Sequence, residues 1–155
     1  MKKLIIFILM PICFWCCVNE DSKNYNYSII NNSGVTVVIV PYGVDGVRDL
    51  SKKILLSNNE KISLKRNVTY PAPDFLDMAE VITRDKNITL IKIEFIFNLN
   101  KKTLYSSCKF TSTGVEGCTE TRNIFRSEYN DEQTEVYTIT PEDYQNAQDC
   151  GGNCN

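Results

Sequence analysis

The sequence predicts an all-β protein, an Ig-like antiparallel β-sandwich of about seven strands that ends in a short C-terminal helical turn. Two observations support this class. Short runs rich in Val, Ile, Phe and Tyr recur along the chain, and several alternate apolar with polar residues between turns of Asn, Ser and Gly. Because 155 residues can bury one ordinary core, we expect a single domain.

The first strands come directly after a polar segment. Tyr25, Tyr27 and Ile29 alternate with polar residues, and the β-branched run VTVVIVPY follows a short NNSG turn. We therefore expect these two segments to pair as a hairpin. The runs LSKKILL and KISLKR supply the next two strands, and in the second run Ile62 and Leu64 share one face.

The middle of the chain combines an irregular stretch with the strongest strand signal. NVTYPAPDFLDMAE contains two prolines that exclude a central strand, so we expect it to form a surface excursion between the sheets. In ITLIKIEFIF four apolar residues share one face, whereas Lys92 and Glu94 lie on the other. After the NLNKK turn, TLYSSCKF is expected to return as its hairpin partner.

The end of the chain predicts one more strand and a short helix. EVYTIT has the composition of a strand. It is followed by Thr140 in an N-cap position, by Pro141 at the first helical position and by acidic residues in the first turn.

The first residues have the pattern of a leader. Two lysines precede the apolar run LIIFILMPICFW, which has the length of a signal-peptide core and is shorter than a membrane-spanning helix. No A-x-A cleavage pattern is present, but the run ends in cysteines. This arrangement resembles a bacterial lipoprotein precursor, which implies lipid attachment (palmitate or a related acyl chain) at Cys17, with Cys16 as the alternative.

Two further features resemble small lipoproteins of the Bacteroidota kind. Glu20 and Asp21 follow Cys17 closely, as in a signal for export to the outer leaflet, although a merely polar linker is the alternative. The segments NNSG, ITLIKIEFIF and YTITPEDYQNA also resemble the body of such proteins. The resemblance implies an outer-membrane or cell-surface lipoprotein with a β-sandwich and brings no known activity.

The expected organisation has four parts. They are a lipoprotein signal peptide (1–16), an acylated N-terminus with a polar linker (17–24), the β-sandwich domain (25–149) and a Cys-Gly-rich tail (150–155).

Four cysteines lie beyond the leader: Cys108, Cys118, Cys150 and Cys154. An even number in an exported chain predicts disulfides, and four cysteines allow three pairings. We favour Cys108 with Cys118 and Cys150 with Cys154 because each pair is close in sequence, although the connectivity stays open. A metal or redox site in CGGNC is a weaker alternative, because it lacks the zinc ligand set and the CxxC spacing.

The composition excludes several classes of chemistry. The chain has no histidine, which removes the Ser-His-Asp and Cys-His arrangements. Asp74, Asp77 and Glu80 recur every three residues, but a solvated turn explains them better than catalysis. No EF-hand or phosphate-binding loop is present, so we predict no metal and no cofactor. A net charge of -2 without a basic cluster argues against a nucleic-acid partner.

The sequence therefore favours a non-enzymatic envelope lipoprotein with a structural or binding role. Tyr70 and Phe75 flank the prolines of the irregular stretch and are candidates for contact with a protein or glycan ligand, unless they plug one end of the core. Two alternatives remain. One is a small envelope hydrolase that uses carboxylates only, and the other is a secreted, disulfide-containing binding protein with glycosylated Asn-x-Ser/Thr triplets, for example at Asn31.

Overall fold

The structure, a computed structural model, describes residues 22–69, 76–85, 87–111, 114–116 and 118–154. Within these ranges the chain forms ten strands and two short α-helices. The strands are β1 (Ser22–Asn31), β2 (Val37–Tyr42), β3 (Ile54–Leu56), β4 (Lys61–Thr69), β5 (Lys92–Phe97), β6 (Lys101–Ser106), β7 (Lys109–Thr111), β8 (Gly114–Glu116), β9 (Thr134–Ile139) and β10 (Gln148–Asp149). The helices are α1 (Glu80–Thr83) and α2 (Pro141–Asn146). The predicted all-β class is confirmed.

The first sheet has three strands in the order β4-β1-β9. β1 lies in the centre and pairs with β4 in antiparallel orientation, with Tyr27 opposite Leu64. On its other side β1 pairs with β9 in parallel orientation, with Tyr27 opposite Glu135. The sandwich is therefore not antiparallel throughout, because β9 runs alongside β1 in the same direction.

The second sheet has five strands in the order β10-β6-β5-β2-β3, and every pair in it is antiparallel. The hairpin predicted from ITLIKIEFIF is confirmed, since β5 pairs with β6 in a register that places Phe97 opposite Lys101. A separate two-stranded ribbon, β7 with β8, lies beyond β6.

The predicted first hairpin is wrong, because β1 and β2 belong to different sheets. Residues 32–36 instead carry the chain from one sheet to the other. The buried amide of Asn31 holds this crossing, since its Nδ2 donates to the Val35 carbonyl (2.8 Å) and the Leu56 carbonyl (2.9 Å), and its Oδ1 accepts from the Ser33 amide (3.1 Å). A side chain engaged in this way has no room for a glycan.

The core lies between the two sheets. Tyr27 and Ile29 of the first sheet and Phe95 of the second are almost completely buried. The rings of Phe95 and Tyr137, one from each sheet, lie 5.9 Å apart. All buried residues of this core fall between Tyr25 and Ala147. A chain of residues 18–155 therefore contains every described residue of this core, and we expect it to fold on its own.

The described ends of the segment predicted as a surface excursion, residues 67–69 and 76–80, belong to a strand and to the core instead, whereas 70–75 lie outside the described residues. Asn67–Thr69 belongs to β4, and Leu76 and Met78 are almost fully buried (1% and 0% exposed). The two apolar residues at the start of α1, Val81 and Ile82, are also buried. The helix lies against β1 and β4 of the first sheet and against β2 of the second, so it contacts both sheets.

The predicted C-terminal helix is confirmed as α2. Thr140 is its N-cap, and the Thr140 hydroxyl and the Asp143 carboxylate each accept a hydrogen bond from the other residue's backbone amide, which forms a capping box. Pro141 occupies the first helical position, where its missing N–H costs nothing.

Candidate functional site

The candidate site lies on the outer face of the five-stranded sheet, the face that points away from the core. Alternation along β2 and β5 places Val38, Val40 and Ile96 there, on the side opposite to Phe95 and its buried neighbours. Most outer faces of half-buried sheets are polar, because water covers them. On this one, Val38 and Val40 of β2 and Ile96 of β5 form an apolar group beside the charged residues Lys92 and Glu94.

Several large apolar side chains extend this face into solvent. Leu55 on β3 lies opposite Val38 and is 62% exposed, and Leu104 on β6 lies opposite Glu94 and is 42% exposed. Single exposed apolar residues are ordinary on protein surfaces, whereas a contiguous group marks a surface that binds something.

A shallow cavity of about 280 Å³ opens on this face. Its apolar lining comes from Val38 and Val40 of β2, Ile96 of β5, and the exposed residues Leu50 and Leu99. Its polar lining consists of two cationic side chains, Arg48 and Lys53. No carboxylate lines the cavity among the described residues, so it offers no acid-base pair for hydrolysis.

Beside the cavity, Glu94 forms a buried ion-pair cluster. Its side chain is only 1% exposed, and its two oxygens lie 2.6 and 2.8 Å from Nη2 of Arg48. The Tyr42 hydroxyl donates to the same carboxylate at 3.2 Å, and Nζ of Lys102 lies 3.4 Å away. A buried carboxylate requires such partners because desolvation of an unpaired charge is expensive.

Arg48 is the centre of this cluster. It comes from the loop that follows β2, where it forms an isolated bridge with Tyr42. Nε of Arg48 donates to the Tyr42 hydroxyl at 3.0 Å, and Nη2 donates to Glu94. These hydrogen bonds, first to Tyr42 and then to Glu94, raise the pKa of Arg48 above its usual value. The guanidinium is thus held in one orientation at the cavity wall.

The C-terminal tail covers one side of the same face. The Cys150–Cys154 disulfide closes a short loop, and Cys154 is buried against Val40 and Ile96. The Cys154 carbonyl accepts a hydrogen bond from Nη2 of Arg48 at 3.1 Å. The tail, the ion-pair cluster and the cavity are therefore parts of one surface feature.

Two cationic side chains at the cavity, Arg48 and Lys53, have hydrogen-bond donors that no described residue engages. In the described part of the chain, neither Nη1 of Arg48 nor Nζ of Lys53 has a hydrogen-bond or salt-bridge partner. By contrast, Lys52, the neighbour of Lys53, lies 3.8 Å from an Asp49 oxygen and does not line the cavity. The cavity therefore combines an apolar wall with hydrogen-bond donors from two cationic side chains, Lys53 and the ion-paired Arg48.

The cysteines beyond the leader pair as the sequence favoured. Cys108 is linked to Cys118, which closes the segment that contains the β7–β8 ribbon, and Cys150 is linked to Cys154. Both pairs thus have structural partners rather than free thiols.

The remaining predicted site residues lie outside the described residues. These are Cys17 and its alternative Cys16, and the candidate ligand contacts Tyr70 and Phe75. For them the sequence-based predictions stay predictions.

The acidic repeat that sequence singled out has a structural role where it is described. Glu80 forms an ion pair with Arg66, which ties α1 to β4. The Asp77 carboxylate accepts from the Ala79 amide at 2.9 Å, as in a helix-initiating turn. Asp74 lies outside the described residues. The two described acids are thus used locally rather than turned toward a common ligand.

A second buried carboxylate, Asp143, is also fully engaged. Its oxygens accept from Nε (3.1 Å) and Nη2 (2.9 Å) of Arg122, in addition to the capping box of α2. Arg122 lies over the Tyr137 ring at 5.2 Å. The hydrogen bond with Asp143 is the main reason that the pKa of Arg122 is raised. This pairing fixes the C-terminal helix to β9.

Sequence reasoning missed the Glu94 cluster and the cavity beside it. Strand alternation predicts only that Glu94 lies on the face opposite to Phe95. The signal that could have identified it is a single acid within a strand that is otherwise apolar on both faces, together with Ile96 on the same side as Glu94.

Within the described ranges, no group of three or more His, Cys, Asp or Glu residues is placed to hold a metal ion. None of the described helices is long and apolar enough to span a bilayer. The chain matches no protein-family model, and comparisons with curated proteins and with solved structures gave no significant match.

Proposed function

We propose that this protein is a non-enzymatic lipoprotein of the cell envelope, and that its β-sandwich binds a partner through the outer face of the five-stranded sheet. The observation that carries the binding role is the apolar cavity lined by two cationic side chains, Lys53 and Arg48, of which Arg48 is ion-paired with Glu94. Such concave, mostly apolar sites with a few polar groups are typical of ligand binding.

The anchor is supported by the sequence alone. A leader with an apolar core approaches Cys17, and acidic residues follow it. β1 begins at Ser22, and five extended residues span at most about 18 Å. Two or more acyl chains on Cys17 would hold the domain firmly and close to the outer membrane. The outer face would then meet partners at the membrane surface.

The anchor is tested by mass spectrometry of the mature N-terminus together with two matched variants. We expect acylation at Cys17, an unacylated precursor that keeps its leader with Cys17→Ala, and normal cleavage and acylation with Cys16→Ala. Because the two cysteines are adjacent and both lie before the folded domain, a difference between these variants reports processing rather than stability. A mature chain that begins further on without acyl groups would contradict the anchor.

Surface display is tested with protease added to intact cells. The wild-type chain should be cleaved, whereas a variant with Glu20→Gln and Asp21→Asn should stay lipidated but become protected. If both proteins are protected, or both are cleaved, the two acids belong only to a polar linker.

The binding role is tested by crosslinking in the native envelope. We expect Leu55→Ser and Leu104→Ser, which alter the outer face, to reduce the yield of crosslinked partner. Val136→Ser is the matched control, because Val136 is 45% exposed on a strand of the other sheet. Equal loss with all three variants would show that the outer face has no special role.

A further inference from the structure

The cavity on the outer face has the chemistry of a site for an aliphatic anion. Five apolar side chains form its wall, and the two charged groups that line it are both cationic. Among the described residues, the only carboxylate in direct contact with Arg48 is Glu94, which is buried and already satisfied by Arg48, Tyr42 and Lys102. A neutral apolar ligand would leave the cations unused, and a cationic ligand would be repelled by them.

The arrangement of hydrogen bonds shows where the anion would sit. Nε and Nη2 of Arg48 point to Tyr42, Glu94 and the Cys154 carbonyl, which leaves Nη1 as the free edge of the guanidinium. Because these three partners fix the guanidinium, Nη1 is oriented in advance, and little rotamer entropy is lost on binding. Lys53 supplies a second, mobile positive charge at the same cavity.

The size of the cavity limits the apolar part of the ligand. A volume of about 280 Å³ lies just below the usual range for drug-sized ligands. The apolar wall is built from side chains of two adjacent strands, Val38 and Val40 on β2 and Ile96 on β5, with Leu99 beyond them. This volume and the row of apolar side chains along two strands can take one unbranched aliphatic chain.

We propose that this cavity binds a small aliphatic carboxylate, with the chain on Val38, Val40 and Ile96 and the carboxylate against Nη1 of Arg48 and Nζ of Lys53. This inference rests on the proposed binding role and specifies its ligand class. A fatty acid with a medium-length chain is the simplest molecule of this chemistry.

The probe is octanoate, titrated into the oxidised chain of residues 18–155 and followed by amide chemical shifts in NMR. We expect saturable one-to-one binding, with the largest shifts at Val38, Ile96 and Leu99. Shortening the chain to hexanoate should weaken binding about tenfold, because each buried methylene contributes roughly 0.8 kcal/mol. Octylammonium, which has the same chain and the opposite charge, should not bind.

Two pairs of variants test the two parts of the site. Lys53→Gln should weaken octanoate binding about two- to fivefold, as expected for an exposed ion pair, whereas Lys52→Gln should leave it unchanged. Val38→Thr, which keeps the shape but adds a hydroxyl, should weaken binding severalfold, and Val136→Thr on the other sheet should not. All four positions are at least partly exposed, so these variants should keep the fold, and the NMR spectra verify this directly.

Several outcomes would overturn the proposal. These are absence of saturation, equal affinity for octanoate and octylammonium, or equal effects of Lys52→Gln and Lys53→Gln. Binding to phosphatidylglycerol vesicles without binding of free octanoate would show that the face contacts a lipid surface instead. None of these results would affect the acylation of Cys17 or the crosslinking test, so failure of this inference can be distinguished from failure of the proposed function.

Discussion

Removal of Arg48 should reveal how strongly the structure depends on the pairing of one buried carboxylate. Arg48→Met keeps most of the length of the side chain and its apolar stem but removes the guanidinium. Glu94, with a side chain only 1% exposed, then loses its closest partner. Tyr42 at 3.2 Å and Lys102 at 3.4 Å remain, so the carboxylate is only partly compensated.

The expected magnitude follows from these contacts. Removal of one partner from a fully buried ion pair lowers the free energy of unfolding by about 3–5 kcal/mol. Because Lys102 and Tyr42 remain, we expect Arg48→Met to lower the free energy of unfolding by about 3 kcal/mol, the lower end of this range. Glu94→Leu should cost only about 1 kcal/mol, since Arg48 and Lys102, 24% and 36% exposed, can turn toward water. The double variant should resemble Glu94→Leu.

The assay is urea unfolding of the chain of residues 18–155, followed by circular dichroism. The matched control is Arg126→Met, which removes an equivalent 3.0 Å pair with Glu128 from a more exposed position (34% and 48% exposed) and should change stability by roughly 0.5 kcal/mol at most. If Arg48→Met costs no more than this control, or if the double variant is less stable than Arg48→Met, the role assigned to the cluster is refuted.

Three further predictions concern other parts of the molecule. Replacing Cys108 and Cys118 together by Ser should lower the free energy of unfolding by about 3 kcal/mol in urea titration, as the chain-entropy model gives for this loop; an unchanged midpoint would contradict this. Thr140→Ala should cost about 1 kcal/mol through loss of the N-cap, and Thr140→Ser should recover most of it in the same assay. Burial raises the pKa of Tyr105 to about 12 and that of Tyr137 well above its usual value. Tyrosine in an unfolded chain ionises at about pH 10. The contribution of these residues to the free energy of unfolding should therefore be fully present below that pH and should be lost as the pH rises toward 12. Phenolate absorbance from these residues in the folded chain at pH 10 would contradict the assignment.

Local patterns predicted the elements that depend on local chemistry. The β5–β6 hairpin could be predicted because strong strand signals flank a short turn, and α2 because Thr140, Pro141 and Asp143 occupy cap positions. The crossing of the chain from β1 in one sheet to β2 in the other could not be predicted in this way. A short polar turn between two strands also suits a crossing between sheets, and the bond from Asn31 to the Leu56 carbonyl, which holds that crossing, comes from a strand far along the chain.

The candidate site was harder to predict than the fold for a related reason. Arg48 and Glu94 are 46 positions apart, and the Cys154 carbonyl that shares the guanidinium is 106 positions from Arg48. Strand alternation assigns Glu94 to an outer face, which is correct, but it gives no information about what covers that face. The C-terminal tail covers that face, and its position depends on the Cys150–Cys154 disulfide and on the pairing of β10 with β6. Hydrophobic periodicity predicts neither of these.

The central position of β1 also has a consequence for the order in which the protein can fold. β1 is the first strand to leave the ribosome, yet its parallel partner β9 is among the last, and the bond from the Tyr27 hydroxyl to the Glu132 carbonyl joins residues 105 positions apart. Closing so long a loop is slow, because its entropic cost precedes any gain from pairing. Until β9 arrives, β1 has an unpaired edge that can join another chain. A nascent chain is therefore exposed to aggregation until nearly all of it has been synthesised, and it would benefit from a chaperone that covers this edge during synthesis.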